Sequence, residues 1–460
     1  MIRGRRHVYG IPVSSPPVLA PTTMQSSVSQ YGITWTFDQP YPVGQFVNGD
    51  YFVVGPVTIT EIDPLSVIEG EWTRNGSMIN PHTGMVQGYD SEPESVESIG
   101  FNAANNVGRP GGSQLSAGNP LVVAAGESLL SSMSRDTPGN RQQLVEVSVL
   151  TVLSAVPPAN SFRPPYTNVS KAIQWNKSDI QWATLAARQA DRLQLAVGDR
   201  PNPATVEATV RRAIVDHAAR ELWYRLTPHL HGVMYGREVA KRYGDAALTI
   251  MLNFPQAEIE DLVVNFIQHG IDLYGLALTG QWWPNNGGIF HGRKAPVVFA
   301  SWLLDDENIA AVADASTYFI FMEDHQTNYV TQNMINDQNY TQAMLGMPEW
   351  SIRFASWLGL IGYSHGNLAP DASWGTSYRS MNIGMAGPVL AARIAGLENR
   401  WGWPSLFEYI DRAYNARSGG PGDDPMGEHS MWQVTTNGIT ALTAAMWEEF
   451  RDNYGPIWAP

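Results

Sequence analysis

Apolar and polar positions change their period once along this chain. Between Tyr31 and about Pro158 short runs of β-branched and aromatic residues recur: Ile33–Phe37, Tyr51–Val54, Val57–Thr60, Pro120–Val123 and Leu144–Leu150. Turn groups such as Asn48-Gly49-Asp50 separate them, so the runs predict strands of a β-sandwich-like domain. Pro157-Pro158 through Pro164-Pro165 predict a linker. Beyond it, apolar residues return at three-and-four spacing over Asp179–Leu195, Pro203–Arg225, Gln256–Gly275, Pro296–Leu304, Trp350–Ile361, Gly387–Asn399, Ser405–Ala416 and Ile439–Asn453. That spacing predicts helices with one buried face each. Paired antiparallel helices in this number predict an all-α domain, either an incomplete (α/α) barrel or a tandem bundle. The expected organisation is multidomain α+β: an extended arm over 1–30, a β-rich domain over 31–158 and a helical domain over 159–460.

Composition changes this picture by exclusion. Hydrophobic residues are 43% of the 460 and charged residues 16%, which describes a globular chain long enough for two or three cores. No apolar run is long enough to span a bilayer, so no membrane is expected. Cysteine is absent, which removes disulfides, thiolate nucleophiles and thiolate metal ligands. The basic start carrying Arg3, Arg5 and Arg6 has no continuous apolar stretch behind it and is not read as a signal peptide. The net charge of −14, with no Lys/Arg-rich stripe, argues against nucleic acid as partner. Neither H-x-x-x-H nor H-E-x-x-H occurs, so no metal and no cofactor are expected. A nucleophile elbow, a Walker A loop and a Rossmann glycine fingerprint are also missing.

Candidate chemistry gathers in long polar loops of the helical domain. Of 16 tryptophans, 14 follow residue 160, and Trp282, Trp283, Trp374, Trp401 and Trp403 sit in polar surroundings. Flat indole faces suit the apolar faces of pyranose rings, while amides and charges suit their hydroxyls. The segment from Trp282 to Lys294 adds Asn285, Asn286, His291, Arg293 and Lys294 between glycines. Because Pro296 opens a predicted helix, the last three face an anion-favouring helix N-terminus. Downstream stand Glu323, Asp324, His325, Tyr329 and Tyr340, then Glu349 and Trp350, with Glu349 and Arg353 expected as an i, i+4 pair on a helix opened by Pro348. Tyr378 and Arg379 follow a Gly/Ser/Trp loop. In the β-rich domain, Asn80, Gln87 and Tyr89 lie in polar loops placed to wall one side of a cleft at the domain junction.

Two reactions compete for these residues. β-Elimination at a uronic acid needs a group that neutralises the C5 carboxylate, a base for the C5 proton and an acid for the departing oxygen. Asparagine, arginine, histidine and tyrosine supply all three. Hydrolysis needs two carboxyls, for which Glu323, Asp324 and Glu349 are the candidates; Asp305 and Asp306 close a helix.

The tryptophan-rich loop with paired Asn285-Asn286 and a following His291, then tyrosine and arginine downstream in a helical domain, resembles the (α/α)-toroid polysaccharide lyases that act on alginate and hyaluronate. The resemblance implies an (α/α)-toroid catalytic domain that cleaves a uronate-containing glycan. It implies Asn286 as the neutralising amide, His291 as the base, Tyr329 or Tyr340 as the acid and Arg353 as the supporting cation. Trp282, Trp283, Asn285, Arg293, Lys294, Asp324, His325, Glu349, Trp350, Tyr378 and Arg379 are then substrate-binding. This chain departs from the family in two respects: four residues separate Asn286 from His291, and the β-rich part precedes the helices. The expected partner is a polysaccharide and the expected location extracellular or periplasmic. The alternatives are a glycoside hydrolase of (α/α)-barrel type and a non-catalytic glycan-binding or virion-associated protein.

Overall fold

In the computed structural model the described residues are 17–69, 72–83, 85, 105–109, 113–134, 144–189, 200–217, 236–283, 290–336, 340–350, 383–416 and 438–455. They form a mixed fold, with a nearly closed sheet in the N-terminal part and helices in the C-terminal part.

The sheet has eight strands: β1 (Thr23–Gln30), β2 (Ile33–Gln45), β3 (Tyr51–Val54), β4 (Val57–Asp63), β7 (Ser77–Ile79), β8 (Leu121–Val123), β9 (Glu127–Ser134) and β10 (Leu144–Leu153). Their order is β7-β9-β10-β3-β2-β4-β8, with β1 also paired to β2. Among the described strands only the β3–β10 ladder is parallel. A separate hairpin joins β5 (Val67–Glu69) and β6 (Trp72–Arg74). Strand β1 lies within the span expected to be an extended arm. Its sequence, TMQSSVSQ, has few apolar positions to announce a strand, and pairing along β2 from Thr23↔Val43 to Gln30↔Ile33 supplies its order.

Alternation along β10 explains how the two parts meet. Leu150 and Val152 point into the sheet's own core with Trp35, Val53, Ile59 and Leu129. Val147 and Val149, on the opposite face, join Leu130 in the core of the helical part. The sheet is therefore apolar on both faces along β9 and β10, and one of those faces is the floor for the helices.

The helices are α1 (Trp182–Gln189), α2 (Pro203–Glu207), α3 (Gly236–Met251), α4 (Gln256–Leu278), α5 (Lys294–Leu303), α6 (Glu307–Ala313), α7 (Met322–Gln326), α8 (Gln332–Asn336), α9 (Ala386–Ala395), α10 (Glu398–Trp401), α11 (Pro404–Ala416) and α12 (Ala441–Phe450). Helix α3 is not among the helices that the spacing predicts, and Gly236 and Gly244 interrupt its pattern. Packing accounts for Gly244: α3 crosses α9 there, and a Cβ on Gly244 would lie 2.9 Å from the Cα of Gly387. Helix α2 is much shorter than the expected Pro203–Arg225. Its apolar continuation, Ala213–Val215, is a buried non-helical segment, and the Tyr166 hydroxyl donates to the Ile214 carbonyl at 2.9 Å.

Pro348 and Glu349 do not open a helix. Pro348–Trp350 is a strand, β12, antiparallel to β11 (Thr327–Tyr329) with Asn328 opposite Glu349. Backbone pairing with β11 outweighs the helical spacing of the apolar residues there.

The proline-rich segment is not a loose tether. Phe162, Arg163 and Tyr166 are buried in it. Arg163 donates through Nε to Asp50 of the sheet part at 2.5 Å, and through both Nη atoms to Asp272 of α4 at 2.9 and 2.5 Å. A second bridge joins Arg212 to Glu146 of β10 by two 3.0 Å bonds, with the guanidinium over the Tyr31 ring at 4.3 Å.

Candidate functional site

The turn Phe290–Arg293 leads into α5, and Gly292 makes it possible. Its φ is +92°, and a Cβ there would lie 2.5 Å from the Cα of Ala240. The turn sends His291, Arg293 and Lys294 inward, where all three are buried. Facing them is α7, the segment Met322-Glu323-Asp324-His325-Gln326, every residue of which is buried.

These two segments pair side chain by side chain. Lys294 Nζ forms an ion pair with Asp324 and lies 5.8 and 5.5 Å from the ring centres of Phe321 and Trp401. The other Asp324 oxygen accepts from Trp401 Nε1 at 3.3 Å. Glu323 Oε1 accepts the backbone N–H of Lys294 at 3.3 Å, and His291 Nε2 meets Gln326 Oε1 at 3.2 Å. Arg293 donates from Nε to Asp216 at 3.0 Å, and the same Asp216 oxygen accepts from Trp283 Nε1 at 2.6 Å. The helix N-terminus that the sequence marks as an anion site already has a carboxyl from its own chain, that of Glu323.

Burial controls the protonation of this cluster. It pushes Glu323 up to about 7, with the Asp324 carboxylate adding to the rise. It also raises Asp324 and lowers Lys294, each partner's charge opposing the shift of the other. His325 is pushed down to about 4 and is neutral at pH 7; its Nε2–H donates to the Phe319 carbonyl at 2.9 Å. Glu323 Oε2, Gln326 Nε2 and His325 Nδ1 are buried polar atoms with no hydrogen-bond partner among the described residues. Such atoms carry a desolvation cost of about 1–3 kcal/mol each, which a ligand group would relieve.

The tryptophans divide. Trp283 is wholly buried and stacks on Phe321, with ring centres 5.0 Å apart and planes 6° apart. Trp282 is 38% exposed and lies 6.2 Å from the His325 ring. Trp401 is buried, whereas Trp403 is half-buried and donates to the Thr327 carbonyl at 2.7 Å.

Other candidates stand apart from this cluster. Tyr340 is buried among Val330, Met334, Met344 and Met347. Tyr329 is half-buried, its hydroxyl pushed up to about 12 by burial and by Glu408. Glu349 is buried and pairs with Arg412 of α11 at 3.0 Å, and the same nitrogen reaches the Pro348 carbonyl at 2.7 Å. Trp350 beside it is buried. Asp306 caps α6, accepting from Asn308 and Ile309 at 2.8 and 3.0 Å. Asn80 ties a turn to β9: its Oδ1 accepts from Ser128 N at 2.9 Å. Nearby, Thr83 donates to Gln281 at 3.1 Å, which brings the loop after β7 against the Trp282 segment. Asn285, Asn286, Arg353, Tyr378, Arg379, Gln87 and Tyr89 lie outside the described residues.

Asp216 and His217 escape sequence reasoning, although an acid beside an imidazole is the same signal that singles out Asp324-His325. His217 is buried, is pushed down to about 3 by burial, and neither ring nitrogen has a hydrogen-bond partner among the described residues. Among the described residues no group of three or more His, Asp or Glu is arranged to hold a metal ion, and no helix is long and apolar enough to cross a membrane. No protein-family model, no curated protein and no solved structure matches this chain.

Proposed function

We propose that this protein is a carbohydrate-active enzyme that cleaves a uronic-acid-containing glycan by β-elimination. In this reading the helices form an incomplete (α/α) toroid behind a sandwich-like sheet, and the protein acts on polysaccharide outside the cytoplasm. The observation that carries the reading is the buried pairing of the 291–294 turn with α7. It sets His291 on Gln326 and Glu323 on the backbone N–H of Lys294, with the Glu323 carboxyl pushed up to about 7 by burial and partly exposed Trp282 lying 6.2 Å from the His325 ring of the same helix. His291 is the base, and Trp282 offers the sugar an apolar face. Arg293 and Lys294 are each paired to a carboxylate, so they supply field and position rather than a free cation.

Incubation with alginate, glucuronan, pectin and glycosaminoglycans tests the reading. The expected product is a 4,5-unsaturated uronate followed by its ultraviolet absorbance, lost in His291→Ala. Silence across all four polymers rejects elimination.

A second reading, hydrolysis, is favoured by the contrast between Glu323, pushed up to about 7, and Asp324, ion-paired to Lys294. Reducing ends would then appear without the chromophore and vanish in Glu323→Gln. A third, glycan binding without turnover, is favoured by the mutual pairing of the cluster's charges. Binding undiminished by His291→Ala, with no product of either kind, identifies it.

A further inference from the structure

A cleft of about 660 Å³ opens on the outside of the helical part, where α1, α5, α6, α9 and α10 meet. This is within the roughly 300–1,000 Å³ usual for small-molecule sites. Arg188 lines it from α1, Trp302 from α5, Asp314 and Thr317 from the end of α6 and the turn beyond it, and Asn399 and Arg400 from α10.

The cations in it are available to a ligand. Arg188 is exposed and makes no hydrogen bond or ion pair among the described residues. Its guanidinium lies against Gly396, the left-handed cap of α9, where a Cβ would sit 2.8 Å from Nη2. Arg400 is held loosely: its nearest carboxylate, Glu307, is 3.3 Å away with a side chain 81% exposed, and its bonds to Ser301 are 3.3 and 3.4 Å. Exposed pairs of this kind contribute about 0–1 kcal/mol, so a ligand carboxylate can compete for the guanidinium. The acidic wall is less available, because Asp314 accepts from Ser316 N and Oγ at 2.9 and 2.8 Å. Trp302 is half-buried, packed edge-on against Phe299 with centres 5.9 Å apart, and its indole N–H makes no hydrogen bond among the described residues.

A planar guanidinium, an indole, an amide and a hydroxyl around one opening match a pyranose that carries a carboxylate. Arginine takes the carboxylate bidentately, the indole covers an apolar ring face, and Asn399 and Thr317 meet the rim hydroxyls. We propose that this cleft is a binding site for a uronate unit of an acidic oligosaccharide, with Arg188 as its anion-recognising residue and Trp302 as its stacking platform. The choice of a saccharide as carrier of the carboxylate rests on the glycan reading above. The site itself is separate from the buried cluster, although α10 connects them: Arg400 lines the cleft while its neighbour Trp401 turns inward to Asp324.

Calorimetric titration of the full chain with oligoglucuronate, oligogalacturonate and oligomannuronate tests the assignment, with a neutral gluco-oligosaccharide and inorganic phosphate as comparators. At least one acidic oligosaccharide is expected to bind, with the neutral sugar at least about tenfold weaker. Arg188→Ala should weaken binding by about tenfold or more at an unchanged thermal midpoint, with Arg188→Lys intermediate. Trp302→Ala should weaken it by a similar factor, measured at a temperature well below its own lowered midpoint because Trp302 also packs on the core. Failure of all three acidic sugars, equal binding of the neutral one, insensitivity to Arg188→Ala, or equal displacement by phosphate overturns the proposal. His291→Ala separates the two readings. Retained binding with lost product supports both, and binding without product in the unaltered chain leaves the cleft standing while rejecting catalysis. Product formation with binding indifferent to Arg188 rejects only the cleft.

Discussion

Arg163 holds Asp272 by two nearly parallel hydrogen bonds, 2.9 and 2.5 Å long, and both side chains are completely buried. The third arm of the same guanidinium reaches Asp50, which Asn48 and Gln30 also hold at 2.8 and 3.1 Å. Burial disfavours the charge on Arg163, and the two carboxylates outweigh it, so its pKa rises above the ordinary value. This one side chain joins the sheet, the proline-rich segment and α4.

Removing one member of such a network leaves a buried charge uncompensated. Arg163→Met is expected to destabilise the chain by about 3–5 kcal/mol. Urea unfolding followed by both far-ultraviolet dichroism and tryptophan fluorescence measures it. A loss below about 1 kcal/mol would show that water or rearrangement replaces the guanidinium.

The Lys294–Asp324 pair is enclosed by Phe321 and Trp401 and has no exposure on either side. Lys294→Met alone should cost about 3–5 kcal/mol, because Asp324 then remains buried with Trp401 as its one side-chain donor among the described residues. Adding Asp324→Leu should recover most of that loss, since an apolar pair replaces two buried charges. A denaturant-midpoint double-mutant cycle reads the coupling, and additive losses would contradict it.

Gly270 of α4 faces the start of α5 so closely that a Cβ would lie 2.3 Å from the Pro296 carbonyl oxygen and 2.5 Å from Ala300 Cβ. The obstruction is backbone, which cannot swing away as a side chain does. Gly270→Ala should therefore destabilise by about 1–3 kcal/mol, despite alanine's better helix propensity. A thermal midpoint equal to or above that of the unaltered chain would refute the close approach of α4 and α5.

Buried groups make opposite contributions to the dependence of stability on pH. Glu323 is raised from 4.5 to about 7, so between those values the folded chain keeps a proton that the unfolded chain has lost, and stability falls as pH rises. His217, His269 and His325 are lowered from 6.5 to about 3, 4 and 4, so below 6.5 the unfolded chain takes up protons first, and stability falls as pH falls. Asp245, raised from 3.8 to about 6, and Asp272 and Asp324, also raised by burial, act in the same sense as Glu323, so on acidification these carboxyls and the three histidines oppose one another. Glu323→Gln removes one of the groups that gain stability as pH falls, so between pH 7 and 4.5 the variant should lose stability relative to the unaltered chain by up to about 1.4 kcal/mol per pH unit. Unfolding curves at half-unit intervals measure this, and parallel curves for the two proteins would exclude Glu323 as a group titrating near 7.

How much was legible depended on the range of the interaction responsible. Tyr51–Val54 forms a strand with the bounds that its β-branched and aromatic run predicts, and Gln256 opens a helix where the apolar spacing begins. In both cases the pattern reports directly which face meets the core. The polar segments 290–294 and 323–326 also stand out in sequence, because so many charged and imidazole groups in an otherwise apolar stretch need partners.

Tertiary structure alone decided who those partners are. Asp216 meets Arg293 across 77 positions, and Glu349 turns to Arg412 rather than along a helix, because β12 pairs with β11. Strand β1 owes its order to β2, and Gly244 its place to the crossing with Gly387. The cleft beside Arg188 draws its walls from five helices, none of which carries a motif. Sequence determined the periods, and so which faces had to be buried. Burial of those faces against one another then selected contacts between distant residues, and local spacing holds no record of that selection.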